Sequence, residues 1–249
     1  MTNATTFGQQ AGAYARGRPG YPAELYHWIA SQTAKHDLVW DVGSGSGQAA
    51  RELAKLYDEV HATDISEAQI AMAPSHPKIA YEAAPAYESG LKDMSVDAVT
   101  AATAVHWFAD DKFWREVVRV GKPNALFCAW TYQLPCSAPE VQTLFLDPVY
   151  ALIDPYWAGG NRICMAGYSA ENLNFPFSIM PAPEFDAGGM WTAHQLVDFA
   201  KSWSAHYRAR HDGLGEALGS LARTFLSEYE NTEFSVSMPL SVLAARMGQ

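Results

Sequence analysis

The stretch from Val39 to Gly47, with Asp41 followed by Gly43, Ser44, Gly45, Ser46 and Gly47, constrains the fold of this chain more than any other. A short apolar run enters three alternating glycines, and a helical pattern follows with Ala50, Leu53, Ala54 and Tyr57 on one face. Glycine takes backbone conformations closed to other residues and lets the main chain approach a ligand. A strand, a glycine turn and a helix in that order predict a nucleotide-type site at the strand's carboxyl end.

The rest of the first half repeats the alternation. Pro22 opens a helix over 22–33 with Leu25, Trp28 and Ile29 on its apolar face. Strands are expected at 38–42, 59–63, 78–83, 95–103 and 124–131. Helices are expected at 47–57, 67–73 (capped by Ser66) and 110–120. Strands and helices in turn imply a parallel sheet covered on both faces. After Thr131 the alternation breaks into a segment rich in Pro, Gly and aromatics. Helices return at 192–208 and 216–229, and strand patterns near 179–186 and over 233–247. The reading is an α/β, Rossmann-like fold with a seven-stranded, mostly parallel sheet and an aromatic-rich substrate cap. It is one domain: an N-terminal lid and helix (1–36), a binding core (37–131), a cap insertion (132–190), and C-terminal helices with the last strand (191–249).

A chain of 249 residues can bury one sizeable core. Lys and Arg number 17 against 27 Asp and Glu, a net charge of −10, which argues against a phosphate-backbone partner. Cys128, Cys136 and Cys164 are odd in number and lack metal spacing, as expected for reduced thiols. The N-terminus lacks a signal-peptide pattern, and no apolar run approaches the roughly 20 residues that span a bilayer. A soluble, cytoplasmic monomer or homodimer is expected, with no metal, nucleic acid or membrane partner.

A dinucleotide fingerprint, G-x-G-x-x-G from Gly43, requires a glycine where Gln48 stands. Asp64 lies 23 residues after Asp41 at the end of the second strand, where a carboxylate can accept both hydroxyls of a ribose. Ile65 would then lie against a base. The alternative makes Asp41 a turn residue and Asp64 a helix cap.

The 41–47 loop, Asp64, and Val96-Asp97-Ala98-Val99 resemble the strand motifs of class I S-adenosylmethionine-dependent methyltransferases. Phe7, Tyr14, Arg18-Pro19, Tyr21-Pro22 and His106-Trp107-Phe108 are similar to a subgroup that includes trans-aconitate methyltransferase and its plant, fungal and bacterial relatives. Asp154-Pro155-Tyr156-Trp157 and Phe175-Pro176-Phe177 also resemble that subgroup. The resemblance implies S-adenosylmethionine as cofactor and S-adenosylhomocysteine as product. It implies cofactor contacts at Asp41, Gly43, Ser44, Gly45, Asp64, Ile65, Ala86, Tyr87, Thr103 and Ala104, with Tyr14 and Arg18 as a lid. One position departs from the family. The acid that usually follows the third strand is replaced by Pro85, which leaves backbone near Ala86 and Tyr87, or Glu88, to meet the base.

Methyl transfer from a sulfonium is an in-line displacement that needs alignment, exclusion of water and management of one proton. His106, just after the fourth strand, is the candidate base or hydrogen-bond donor; a packed histidine that holds its loop is the alternative. The run from Thr103 to Trp107 lacks the Asn/Asp-Pro-Pro-aromatic signature of nitrogen methyltransferases. Trp107, Trp130, Tyr156, Trp157, Arg162 and Trp203 are candidate acceptor contacts, and Arg208 and Arg210 are further candidates for a carboxylate. The expected activity is methylation of a small molecule, at a carboxylate or hydroxyl oxygen by resemblance. The alternatives are nitrogen methylation of a heteroaromatic and a non-catalytic binding module.

Overall fold

The computed structural model describes residues 20–247, which fall into two compact units. One contains 21–133, 163–185 and 240–247; the other contains 134–162 and 186–239.

The first unit holds the sheet. In chain order its elements are α1 (Ala23–Ser31), β1 (Leu38–Val42), α2 (Gln48–Leu53), β2 (Glu59–Asp64), α3 (Glu67–Ile70), β3 (Ile79–Ala83), β4 (Val96–Ala102), α4 (Asp111–Val120) and β5 (Gly121–Tyr132). The two late strands are β6 (Ile179–Met180) and β9 (Leu240–Arg246). The strand order is β3-β2-β1-β4-β5-β9-β6. The first five strands pair in parallel, and β9 runs antiparallel between β5 and β6. This is the seven-stranded, mostly parallel sheet expected from the sequence. From β1 the chain moves out to β2 and β3, then returns to place β4 on the other side of β1. Ligands in such sheets bind at that reversal, beyond the carboxyl ends of the strands.

Local chemistry sets the element ends. Ser66 Oγ accepts from Gln69 N at 3.4 Å, and Asp110 Oδ1 accepts from Lys112 N and Phe113 N at 2.9 Å, so both helices start at side-chain caps. Residues 96–101 of β4 are all buried, as suits a central parallel strand. One face of the sheet packs Trp40, Val99, Phe127 and Leu243 against Phe113, Trp114 and Val117 of α4. The Phe175-Pro176-Phe177 segment belongs here too, for both rings stand edge-on to Trp114, at 5.4 and 6.0 Å. The other face packs Leu25 and Ile29 of α1 and Leu53 of α2 against Val39, Ala98 and Leu126.

Two elements differ from expectation. The 179–186 strand shrinks to β6, because Pro181 and Pro183 cannot donate to the ladder. The 233–247 strand splits at Pro239: β9 joins the large sheet, while β8 (Glu233–Val236) pairs antiparallel with β7 (Gly189–Thr192) in the second unit.

The second unit is mainly helical. Its helices are α5 (Asp147–Ile153), α7 (Ala193–Lys201), α8 (Ser204–Ala209) and α9 (Gly215–Tyr229); α6 (Gly159–Ala166) carries the chain from this unit into the first. The expected 192–208 helix is broken between α7 and α8. Thr192 and Gln195 close a capping box at the start of α7. Trp203, on the α7–α8 connection, stacks on Tyr150 at 5.4 Å and packs against Phe199 and Trp157.

Candidate active site

At the β1–β4 reversal the glycine turn lies close to the loop that follows β4. Gly43 has φ +69°, and a Cβ there would sit 2.5 Å from that of Ala104. Gly47, at φ +79°, packs directly beneath the Tyr81 ring. A Cβ at Gly45 would meet only Gln69 Oε1, 3.9 Å away, so this side of the turn is open. Gly43 N and Ser44 N donate to Thr63 O at 2.8 and 2.9 Å, which fixes the turn against β2.

Two carboxylates bracket the turn. Asp41 is fully buried, and Thr100 Oγ1 donates to its Oδ1 at 3.0 Å. Burial pushes its pKa up to about 7, with the Asp64 charge adding to the rise and the Thr100 bond opposing it. Asp64 accepts from Gly45 N at Oδ2 (2.9 Å) and from Ser66 N at Oδ1 (2.8 Å). Burial raises its pKa as well, against those two backbone bonds. Each of its oxygens retains a lone pair for a ligand hydroxyl. Ile65 beside it is 71% exposed, unusual for so apolar a side chain.

Buried polar atoms normally find partners. Around this turn Asp41 Oδ2, Ser44 Oγ and Tyr81 OH have none among the described residues. Three unpaired atoms, an open glycine, a carboxylate at a strand end and an exposed isoleucine fit an aminoacyl nucleoside. Asp41 suits its ammonium, Asp64 its ribose and Ile65 its base. Ala84 N donates to Asp64 O at 3.0 Å, which brings half-buried Ala86 and exposed Tyr87 to the same edge. Lys112 Nζ lies 5.4 Å from the Tyr87 ring centre, and Glu88 is exposed. Tyr14 and Arg18 lie outside the described residues.

The loop after β4 carries the second cluster. Thr103 has φ +49°, a strained conformation for a β-branched residue, held by its N–H on Trp130 O (2.7 Å) and its Oγ1 on Tyr21 OH (2.8 Å). One turn later His106 Nδ1 lies 2.7 Å from Tyr168 OH and 3.1 Å from Cys164 Sγ. Burial holds the Tyr168 phenol protonated, with its pKa far above the ordinary value. Tyr168 and Cys164 are distant in sequence, so only the fold reveals them as partners of His106. Tyr81 and Thr100 were likewise missed; Thr100 carried one signal, a polar residue inside an otherwise apolar strand.

The candidate acceptor contacts divide between the units. Trp107 lies 4.6 Å from the His106 ring. Trp130 is fully buried, edge-on to Tyr21 and Tyr26, and its Nε1 has no partner among the described residues. The second unit holds Tyr156, Trp157, Arg162 and Trp203. There Tyr156 OH donates to Asp212 at 2.6 Å, Arg162 pairs with Asp154 at 3.2 Å, and Arg208 donates to Tyr156 O.

The geometry at this sheet edge fits an aminoacyl nucleoside, and comparison with known proteins gives the family. Residues 40–129 match a family model described as a methyltransferase domain. A solved structure from Anaeromyxobacter dehalogenans, of a protein described by its likeness to type II methyltransferases, superposes with a TM-score of 0.83 at 34% identity, covering 92% of this chain and 97% of that one. A Dictyostelium discoideum protein named as a methyltransferase is 29% identical over 91% of this chain and 87% of its own. A Saccharomyces cerevisiae protein named as an S-adenosylmethionine-dependent methyltransferase is 28% identical over 64% of this chain and 55% of its own. The chain belongs to the class I S-adenosylmethionine-dependent methyltransferases, whose cofactor is S-adenosylmethionine.

Proposed function

We propose that the protein methylates an oxygen, carboxylate or hydroxyl, of a small molecule. S-adenosylmethionine supplies an electrophilic methyl group; the chain must align the acceptor and handle its proton. The observation that carries the reading is the His106–Tyr168 pair, 2.7 Å apart on the turn after β4. Tyr168 and Cys164 hold the imidazole, with Cys164 Sγ 3.1 Å from Nδ1 and 3.4 Å from Nε2; in the tautomer whose Nδ1–H donates to the Tyr168 oxygen, Nε2 is the nitrogen that would take a hydroxyl proton. A carboxylate acceptor is already ionised, and there His106 would serve as a hydrogen-bond donor. The net charge of −10 favours a small acceptor over a nucleic acid.

The test is a screen of small acids, phenols and heterocycles with a labelled methyl donor, combined with two variants. Asp64→Ala is expected to abolish calorimetric binding of S-adenosylhomocysteine. His106→Ala is expected to keep that binding and lower kcat by roughly 10²–10⁴ for a hydroxyl acceptor. Label confined to ring nitrogens would replace the oxygen reading with nitrogen methylation. Binding without transfer to any acceptor class would indicate a non-catalytic module.

A further inference from the structure

The second unit contains a partly open cavity of about 290 Å³, formed by α5 and the helices from α7 to α9. Its floor is apolar, with Phe145, Val149, Val197 and Leu218 each no more than 2% exposed. Its remaining wall is cationic, with Lys201, Arg210 and Arg223 at the rim and no acidic residue in the lining. Lys201 pairs with Asp198 at 3.4 Å and Arg223 with Glu216 at 2.6 Å. Arg210 has no ion pair or side-chain hydrogen bond among the described residues, so one cationic charge stands uncompensated. His206 lines the same space at 7% exposure, and its ring also lacks a hydrogen-bond partner among the described residues.

We propose that this cavity is a binding site for a small monocarboxylate with an apolar tail. One uncompensated guanidinium matches one negative charge, and its planar fork suits a carboxylate. The apolar floor matches a hydrocarbon body and leaves no place for a larger polar ligand such as a nucleotide. The unpaired His206 ring supplies a further hydrogen bond. Burial, with Arg210 and Lys201 nearby, depresses the His206 pKa to about 4, so the ring is neutral and an incoming anion meets a neutral donor. The site stands on these residues alone, whichever acceptor the β4 loop serves.

Calorimetric titration with hexanoate, without S-adenosylmethionine, tests the proposal on the whole protein. Hexanoate is expected to bind, hexanol at least about tenfold more weakly, and Arg210→Ala to weaken hexanoate by roughly tenfold or more. Gly219→Leu provides a second probe. Gly219 lines the cavity within α9, and a Cβ there meets only the exposed guanidinium end of Arg223, at 3.2 Å, which must shift to admit leucine into the space. Binding is expected to be lost in that variant while its melting temperature is kept. Absence of hexanoate binding to the wild type, or wild-type affinity in Arg210→Ala, would overturn the proposal. Adding labelled S-adenosylmethionine then separates two sources of the ligand: methyl ester formed from bound hexanoate marks an acceptor, and binding without ester marks a separate effector.

Discussion

Asp41 sits where ionisation opposes folding. Its carboxyl is fully buried with one oxygen unpaired, and its pKa in the folded chain is about 7. An ordinary aspartate titrates near 3.9. Between those values the folded state holds a proton that the unfolded state has lost. Stability therefore falls as pH rises through this window, and the loss is complete above about pH 7. The deficit is on the order of a few kcal/mol. Asp41→Asn keeps an oxygen for Thr100 and removes the charge. It is expected to raise the melting temperature of the ligand-free protein more at pH 8 than at pH 5, and to weaken S-adenosylhomocysteine binding by roughly tenfold or more. Thermal melts at the two pH values and one calorimetric titration check both halves. An equal shift at both pH values would show that the Asp41 pKa is not raised in the folded chain. Asp41 was legible as a site residue from its place before the glycines. That its second oxygen lacks a partner was not, since this depends on Thr100, which β4 brings alongside.

At the scale of elements, the β1–turn–α2 unit is held by close approach. Gly47 caps α2 in the left-handed region, directly against Tyr81 of β3. Alanine there meets two penalties: about 1–2 kcal/mol for the backbone conformation, and displacement of the Tyr81 ring. Gly47→Ala is expected to lower the melting temperature by several degrees, at roughly 2–4 °C per kcal/mol for a chain of this size. Tyr81→Ala in the same background is expected to recover only part of the loss, since the backbone term remains. Full recovery would show that φ at Gly47 carries no cost. The parallel strands and this turn were readable because local patterns encode them: apolar runs, caps at Ser66 and Asp110, and glycines at fixed spacing. The late elements were not. Pro239 marks the break between β8 and β9, but the partners they take, β7 and β5, are set by long-range pairing; the return of residues 163–185 to the sheet unit goes with the packing of Phe175 and Phe177 on Trp114, which no local period reports. The pairing of His106 with Tyr168 has the same origin.

Over the whole molecule, the proposed cofactor site draws on segments that are far apart in sequence but adjacent across one sheet edge. These are the turn at 41–47, the end of β2 at 63–66, the loop at 84–88 and the loop at 103–108. Among their groups are the unpaired Asp41 Oδ2 and Ser44 Oγ, the Asp64 carboxylate and the exposed Ile65 and Tyr87, which a ligand there would cover. Occupancy should therefore stabilise the sheet unit by mass action. A hundredfold excess of S-adenosylhomocysteine over its Kd adds about 2.7 kcal/mol, which corresponds to a rise of roughly 5–10 °C in melting temperature. Hydrogen exchange should localise the gain, with new protection at those four segments. Asp64→Ala removes the carboxylate that accepts from Gly45 N of the glycine turn and Ser66 N after β2, while the Gly43 and Ser44 bonds to Thr63 O remain. In that variant both the thermal shift and the protection at 63–66 should disappear. Protection that persisted there without Asp64 would mean that the ribose is held elsewhere, and the second carboxylate would lose its role in the site.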